Sequence, residues 1–257
     1  MNRIHKTAVI EGNVQLAQNV EVGPGAVIRG DIFIGEGTRV CPGAVIEGRV
    51  SIGKNNKVGI GAVIGTPPQS FKYEENTGVV IGDDNIIREY VTINRATTAD
   101  GATLIGNKTM LMSYVHVAHD CSIADEAVLA NCVTLGGHIE VQEKAVIGGV
   151  TPVHQFVRIG KMAIVGGGSR IPKDVVPYCL VAGNPPHVHG LNKVGLRRRN
   201  YSNQVKKKLK EAYRIIFRSA LNTSQALEEI KDRGDLNITE VVEIIDFIKS
   251  SERGITK

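Results

Sequence analysis

Two histidines stand three positions apart in the stretch YVHVAHDC, which runs from Tyr114 to Cys121, and an aspartate directly follows the second. Because an ordinary imidazole titrates at about pH 6.5, a histidine can remove a proton from an alcohol that attacks a thioester at neutral pH. Such a base contributes roughly 10²–10⁴-fold in rate. His119 is therefore a candidate general base, with His116 nearby. Asp120 could orient the ring, but it is equally well explained as a turn residue.

The sequence LGGH, from Leu135 to His138, brings an uncovered stretch of backbone next to a further histidine. A backbone N–H at Gly136 or Gly137 could stabilise the oxyanion of a tetrahedral intermediate, and removal of one such donor costs about 10²–10³ in kcat. Glycine also serves simply as a turn residue. Both interpretations are open at this level.

An aliphatic residue recurs every six positions through most of the chain. Steps of six from Ile4 to Ile64, and again from Ile105 to Ile171, meet Val, Ile or Leu every time. Three more isoleucines share the second phase: Ile81, Ile87 and Ile93. A helix repeats every 3.6 residues and a strand every two, so a period of six indicates short strands separated by regular turns. Hexapeptide repeats are typical of the parallel β-helix.

This aliphatic-Gly-x-x-small-x pattern resembles the left-handed β-helix family, whose coil is a triangular prism of three hexapeptides. The left hand is implied by the resemblance, because the usual crossover rule would give the opposite hand. Residues about 18 positions apart would then stack at a spacing of ~4.8 Å. We therefore expect four histidines to converge on one edge, in a strip about 10 Å tall: His116, His119, His138 and His154.

Three interpretations of this histidine cluster are considered. It could be a ladder of solvated surface residues, or a zinc site like that of the β-helical carbonic anhydrases, since imidazoles from successive coils can bind a metal. It could also provide a general base, with the other rings binding substrate. We favour the base, because no Asp or Glu follows the outer histidines as a partner for metal ligands.

Two segments interrupt the repeat, and the chain changes character after it. Insertions are expected at residues 66–78 and 94–104, and inserted loops on a repeat protein often form its binding face. We assign residues 1–190 to the β-helix and 191–257 to a small α-helical domain, so the fold class is mainly β. Helices are predicted near 203–221, 224–233 and 240–250, with Ser202, Thr223 and Thr239 as N-caps.

Charge is concentrated in the region that follows the repeat. The net charge is +5, and ten basic residues stand against the single acidic Glu211 between Lys193 and Arg218. Such a patch suggests an acidic partner. Nucleic acid is disfavoured, because only Tyr201 and Tyr213 interleave with the charges. No transmembrane segment, secretory leader or CxxC pair is present, so we expect a cytoplasmic protein.

Seven motifs are similar to those of the UDP-N-acetylglucosamine acyltransferases that begin lipid A synthesis in Gram-negative bacteria. They are PPQSFKY, HVAHDC, LGGH, AVIGGVTPVHQF, VGGGS, GNPP and GLNKVGLRRRN, and the resemblance extends over essentially the whole chain. It implies transfer of an R-3-hydroxyacyl group from acyl carrier protein to the 3-position of UDP-N-acetylglucosamine by a homotrimer, without metal or other cofactor. The alternatives are a metal-dependent hydratase and a hexapeptide acyltransferase with another acceptor.

The resemblance also implies roles for individual residues. His119 matches the general base, Asp120 its companion and Gly137 the oxyanion donor. The positions matching substrate contacts are Gln69, Ser70, Lys72, His116, His138, His154, Gln155 and Asn192, and the basic pair near the nucleotide phosphates and the carrier protein is Arg198 and Arg199. With active sites between neighbouring subunits, the first insertion would serve an adjacent subunit.

Three positions depart from the family pattern. Ser70 replaces a carboxylate that contacts the sugar, and Val194 stands where an acidic residue is expected near the nucleotide. Pro185 occupies a position associated with limiting acyl length, whereas Gly167, which leaves the acyl groove open, is retained. We expect a long acyl chain, while the sequence leaves a 3-hydroxyl and a 3-amine acceptor both open.

Overall fold

The structure, a computed structural model, describes residues 1–257 and consists of 24 short strands followed by helices. The strands are β1 Arg3–Ile4, β2 Val9–Leu16, β3 Glu21–Val22, β4 Val27–Ile34, β5 Arg39–Val40, β6 Val45–Ile52, β7 Lys57–Val58, β8 Val63–Thr66, β9 Gly78–Ile81, β10 Ile86–Ile87, β11 Thr92–Asn94, β12 Ala102–Ile105, β13 Met110–Leu111, β14 His116–Val117, β15 Ser122–Ile123, β16 Val128–Leu129, β17 Thr134–Leu135, β18 Glu140–Val141, β19 Val146–Ile147, β20 Pro152–Val153, β21 Arg158–Ile159, β22 Ile164–Val165, β23 Cys179–Gly183 and β24 Pro186–Leu191.

The strands wind into a parallel β-helix of about ten coils. One sheet runs in the order β1-β3-β5-β7-β10-β13-β16-β19-β22-β23-β24, and a second sheet bends around a corner at β6, which pairs with both β8 and β9. Successive coils pair at an offset of 18 residues, as Val117 does with Leu135. Only the hairpin of β23 and β24 is antiparallel. The predicted mainly β fold of stacked hexapeptides is confirmed.

The six-residue period has two causes in the structure. The aliphatic residue of each hexapeptide points inward, and Val117, Leu135 and Ile147 are fully buried. Between the buried positions the backbone turns through the left-handed region, which non-glycine residues occupy only when the surroundings fix them. These turn residues recur every six positions with φ of 54–64°: Lys108, Tyr114, Asp120, Glu126, Cys132, His138, Lys144, Val150, Phe156 and Met162.

A buried polar ladder crosses the coils in which the repeat is interrupted. The Asn56 Oδ1 atom accepts a hydrogen bond from the Asn85 backbone N–H at 2.9 Å, and Asn85 Oδ1 accepts from the Thr109 N–H at 2.7 Å. Thr38 extends the ladder by accepting from the Asn56 N–H. The ladder keeps consecutive coils in register although up to 29 residues separate their members in sequence.

Two loops leave the coils at neighbouring positions. Loop 1, residues 67–77, lies between β8 and β9, and loop 2, residues 95–101, lies between β11 and β12. The expected insertion at 94–104 is therefore too long at its C-terminal end. Residues from Ala102 onward are a strand because they pair with β9 from Gly78 onward, which restarts the ladder before the next marker.

Helices follow the last hairpin. They are α1 Lys193–Arg198, α2 Asn203–Arg218, α3 Thr223–Asp232 and α4 Thr239–Lys249, with a 3₁₀ turn at Gly234–Leu236. Ser202 caps α2 as predicted, by accepting from the Val205 N–H. The N-cap of α3 is Asn222 rather than Thr223, because the Asn222 side chain and Gln225 form a reciprocal capping box. Ile238 rather than Thr239 precedes α4, α2 ends before residue 221, and α1 was not predicted.

The helices pack on the β-helix. One hydrophobic core of 58 residues contains both coil residues and helix residues such as Leu209 and Ile244. Ile255, after α4, forms a parallel bridge with Asp174. Polar contacts also join the two parts, because Lys161 Nζ lies 2.6 Å from Glu243 Oε1. None of the helices is long and apolar enough to cross a bilayer.

Core burial predicts the cost of truncating an aliphatic residue. Leu129 in β16 is fully buried, so Leu129→Ala should lower the free energy of unfolding by about 2–5 kcal/mol. Leu221→Ala is the matched control, because Leu221 is exposed and should lose less than about 1 kcal/mol. Urea unfolding followed by circular dichroism measures both variants. Equal losses would contradict the placement of Leu129 in the core.

Candidate active site

His119 and Asp120 form a hydrogen-bonded pair at the corner after β14. Neighbouring side chains of an extended strand point to opposite sides. Here Asp120 has a φ of 58°, and the left-handed turn brings its Oδ2 within 2.8 Å of His119 Nδ1. Since Nδ1 faces the carboxylate, the pair favours the tautomer in which Nδ1 donates its proton to Asp120 and Nε2 can accept one.

Both carboxylate oxygens of Asp120 are also held by Thr97 in loop 2. The Thr97 backbone N–H donates to Oδ1 at 3.1 Å and to Oδ2 at 3.2 Å, and Thr97 Oγ1 donates to Oδ2 at 2.7 Å. The Asp120 N–H in turn donates to the hydroxyl of Thr103. Burial raises the pKa of Asp120, but the hydrogen bonds from Thr97 and His119, with the nearby His138, outweigh it and hold the pKa below its usual value. Asp120 is therefore an anion at neutral pH.

His138 lies beside the pair, one coil along. Its ring meets the His119 ring edge-on, with centroids 5.2 Å apart, and its Nε2 is 3.6 Å from Asp120 Oδ2. Phe156, one coil further, stacks on His138 at 4.7 Å. Asp120, His138 and Phe156 occupy the same left-handed turn position at intervals of 18 residues, so Phe156 could have been found from the repeat itself.

His116 belongs to the same group, whereas His154 stands apart. His116 Nδ1 is 2.7 Å from the Thr92 hydroxyl, its partner across the sheet. Burial, with the nearby His119, lowers the pKa of His116, so its ring is neutral at pH 7. His154 is exposed, and its Nδ1 bonds to the carbonyl of its neighbour Gln155. The expected single strip of four rings is therefore wrong for His154, which lies at a different turn position.

Gly137 forms the floor under the His119 ring. A Cβ added at Gly137 would lie 2.4 Å from His119 Cε1 and 2.8 Å from Nε2, so only glycine lets the imidazole approach the backbone here. The carbonyl of Gly137 accepts from the Phe156 N–H, while the Gly137 N–H has no acceptor in the chain. A free backbone donor thus lies beside the nitrogen that could act as the base.

Three potential metal ligands also meet at this corner. The ligand atoms of His119, Asp120 and His138 lie within 4.8 Å of one another. However, the carboxylate of Asp120 already accepts from Thr97 and His119. Binding of a metal by all three residues would compete with these hydrogen bonds, so the geometry fits an oriented imidazole better than a metal centre.

Loop 1 is anchored by two buried residues that follow β11. Asn94 Nδ2 donates to Thr66 Oγ1 at 2.9 Å and to the Pro67 carbonyl at 3.0 Å, which fixes the start of the loop. Arg95 fixes its end by an ion pair with Glu75 at 2.7 Å. The loop residues predicted to bind substrate, Gln69, Ser70 and Lys72, make no hydrogen bond to the histidine corner of their own chain, and Ser70 bonds only to the Lys72 backbone.

The predicted residues near the C-terminal part occupy different environments. Asn192 is buried and caps α1, and its amide also donates to the Met162 carbonyl, so its side chain is committed to the fold. The expected substrate contact at Asn192 is therefore not available without breaking the cap. Arg199 pairs with Glu126, whereas Arg198 is exposed and forms no ion pair.

The two positions assigned to the acyl groove are both exposed. Gly167 faces Gly149 across adjacent coils, and a Cβ there would lie 3.2 Å from the Gly149 carbonyl oxygen. Pro185 lies in the turn between β23 and β24, on the hairpin that also borders a basic cleft. That cleft, of about 520 Å³, has an apolar floor and is lined on its basic side by Lys193, Lys210, Arg214 and Arg218.

Comparison with known proteins was informative over the whole chain. Residues 174–256 match the family model described as UDP N-acetylglucosamine O-acyltransferase, domain 2, and residues 102–137 match the bacterial transferase hexapeptide model. The chain is 51% identical, over 259 residues and the full length of both proteins, to the acyl-[acyl-carrier-protein]--UDP-N-acetylglucosamine O-acyltransferase of Alkalilimnicola ehrlichii.

Solved structures agree with the sequence relatives. The UDP-N-acetylglucosamine O-acyltransferase of Moraxella catarrhalis superposes with a TM-score of 0.95, at 42% identity and 99% coverage of each chain. The UDP-N-acetylglucosamine acyltransferase of Bacteroides fragilis superposes with a TM-score of 0.96, at 39% identity, covering 98% of this chain and 99% of the other. Fold and sequence therefore point to the same relatives.

The contact between Gly137 and His119 predicts a selective effect of one methyl group. Gly137→Ala should displace the imidazole and break its hydrogen bond to Asp120, because the flexible ring yields more easily than the backbone. The free energy of unfolding should change by less than about 1 kcal/mol. Nitrogen NMR of the histidine rings detects the displacement. Gly234→Ala is the control, since a Cβ there meets nothing within 4 Å, and unchanged His119 signals in Gly137→Ala would contradict the contact.

Proposed function

This chain belongs to the family of UDP-N-acetylglucosamine O-acyltransferases, and from that membership we propose how its residues perform the reaction. The enzyme transfers an acyl group from acyl carrier protein to UDP-N-acetylglucosamine, the first step of lipid A biosynthesis. We propose that the group is an R-3-hydroxyacyl chain and that the acceptor is the 3-hydroxyl of the sugar, or the 3-amine of an analogue. The observation that carries the mechanism is the His119–Asp120 pair packed on the backbone of Gly137.

His119 is proposed to act first as the base. Its Nδ1 is engaged by Asp120, which leaves Nε2 to take the proton of the attacking sugar hydroxyl. The sugar oxygen forms a bond to the thioester carbon, and the carbonyl oxygen becomes an oxyanion. The carbon–sulfur bond then breaks, and the protonated His119 returns its proton to the leaving thiolate. Asp120, ionised at neutral pH, stabilises the imidazolium between the two proton transfers.

The free N–H of Gly137 is proposed as the donor to the oxyanion. It lies in the backbone beneath the imidazole that bears the base, so attack and charge stabilisation take place at the same corner. A preorganised donor of this kind contributes about 10²–10³ in kcat. His116, held neutral by burial, and His138 are suited to hydrogen-bond the sugar without adding charge beside the base.

The separation of loop 1 from the histidine corner supports a shared site. Gln69, Ser70 and Lys72 form no hydrogen bond with His116, His119 or His138 of the same chain. We therefore propose a homotrimer in which loop 1 of one subunit contributes to the site of its neighbour. Family membership also favours this transfer reaction over the metal-dependent hydratase, and we expect the enzyme to act in the cytoplasm, where acyl carrier protein is found.

The basic surface is proposed to receive the carrier protein. It comprises the end of α1, with Arg197, Arg198 and Arg199, and the first turns of α2, with Lys206, Lys207, Lys208 and Lys210. Acyl carrier protein is acidic, and complementary charge mainly increases the rate of association. Arg198 is free to meet an acidic partner, whereas Arg199 would first exchange its contact with Glu126.

Replacement of the base should remove catalysis and spare binding. His119→Ala is expected to lower kcat by about 10²–10⁴-fold, because the sugar hydroxyl then loses its proton acceptor. The dissociation constant for UDP-N-acetylglucosamine, measured by calorimetry, should change by less than about threefold. The control is His5→Ala, an exposed histidine in the first coil. Activity of His119→Ala within tenfold of wild type would remove His119 from this role.

Removal of the basic pair should make the reaction less sensitive to salt. Arg198→Ala with Arg199→Ala is expected to raise the KM for acyl carrier protein about tenfold at low salt, and less at high salt, where ions screen the attraction. Initial rates at several ionic strengths measure this dependence. Lys54→Ala with Lys57→Ala removes the same charge from exposed positions in an earlier coil and serves as the control. Equal salt dependence in both double variants would argue against steering by this surface.

A further inference from the structure

Thr97 of loop 2 occupies a position between the two parts of the site that the family comparison does not explain. Its N–H and hydroxyl hold both oxygens of Asp120, as described above. Its carbonyl oxygen accepts from the Glu74 N–H of loop 1 at 2.9 Å. One residue thus contacts the partner of the candidate base and the loop proposed to bind substrate.

The hydrogen bonds around Asp120 show why its orientation depends on Thr97. Asp120 Oδ2 accepts from His119 Nδ1 at 2.8 Å, and His138 Nε2 lies 3.6 Å from the same oxygen. A carboxylate free to rotate would therefore have a second imidazole within reach. The Thr97 hydroxyl, 2.7 Å from Oδ2, and the Thr97 N–H prevent this rotation. They direct the carboxylate towards His119.

Loop 2 is itself firmly held, so it can serve as a fixed reference for Asp120. Asn76 Nδ2 of loop 1 donates to Asp100 Oδ1 at 2.7 Å, and the Asp100 N–H donates to the Asn76 carbonyl at 2.9 Å. Arg95, at the base of loop 2, is buried and binds Glu75 of loop 1. The two loops form one unit, and Thr97 is where this unit meets the base and its partner.

We infer that Thr97 is a positioning residue, which sets the Asp120 carboxylate so that His119 presents Nε2 to the substrate. This inference rests on the proposed role of His119. Thr97 does not touch the reacting atoms in this scheme. It acts through Asp120, and its contribution therefore exists only while Asp120 is a carboxylate paired with His119.

The first test removes the hydroxyl alone. Thr97→Val keeps the shape, the N–H and the carbonyl, so the contact with Glu74 of loop 1 survives. We expect kcat to fall about tenfold, the scale of one hydrogen bond to a charged group, with both KM values unchanged. Thr97→Ser should restore kcat, because it returns the hydroxyl. The control is Thr98→Val on the same loop, where the side chain is exposed. If Thr97→Val fails to fold, as judged by thermal melting, Thr97→Ala removes the same group without added bulk.

A double-mutant cycle then separates positioning from a general structural effect. In an Asp120→Asn background, Thr97→Val should cause no further loss of kcat, since the carboxylate it orients is already gone. A full additional tenfold loss there, or a wild-type kcat for Thr97→Val alone, would overturn the inference. A rise in the KM for the nucleotide sugar with unchanged kcat would also overturn it, because loop 1 would then be the affected part.

His119→Ala is measured in the same series to distinguish two kinds of failure. If His119→Ala is inactive and Thr97→Val behaves as wild type, the positioning role of Thr97 is wrong and the proposed base stands. If His119→Ala remains active, the proposed base is wrong, and the role of Thr97 falls with it.

Discussion

Backbone hydrogen bonding between one coil and the next, at a constant offset of 18 residues, is the constraint on which the rest of the molecule depends. The His138 N–H donates to the His119 carbonyl, and the Phe156 N–H donates to the Gly137 carbonyl, each at 3.0 Å. A slip of one residue would turn every inward side chain to the outside. Because the core forbids that slip, residues far apart in sequence meet at fixed heights along one corner. The His119 ring lies over Gly137 for this reason.

The regular part of the molecule follows from the sequence, and the irregular part does not. The spacing of six predicts the coils, the buried aliphatic residues and the closeness of His119 to His138. It would also have predicted Phe156, 18 positions after His138, had aromatic residues been considered with the histidines. His154 was misplaced because the stacking argument fixes the side of a coil but not the turn position within it. Two positions of error along a corner change the direction of a side chain.

Loops and helix ends depend on contacts that no period encodes. Thr97 reaches Asp120 from 23 residues upstream, in a segment whose path is set by its hydrogen bonds to loop 1. Asn192 matched a family position for substrate contact, yet its side chain caps α1 and binds a coil carbonyl. Likewise, the start of α3 is decided by the reciprocal hydrogen bonds of Asn222 and Gln225. In each case the deciding partner is a polar group whose position is known only after the chain has folded.

The buried ladder of Thr38, Asn56, Asn85 and Thr109 passes behind both loops and keeps the coils aligned without any help from them. The scaffold and the parts that meet the acceptor are thus under separate constraints. Evolution can lengthen, shorten or replace the loops while the spine of the prism retains its spacing. New acceptors can then arise from changes at the surface, with the catalytic corner inherited intact.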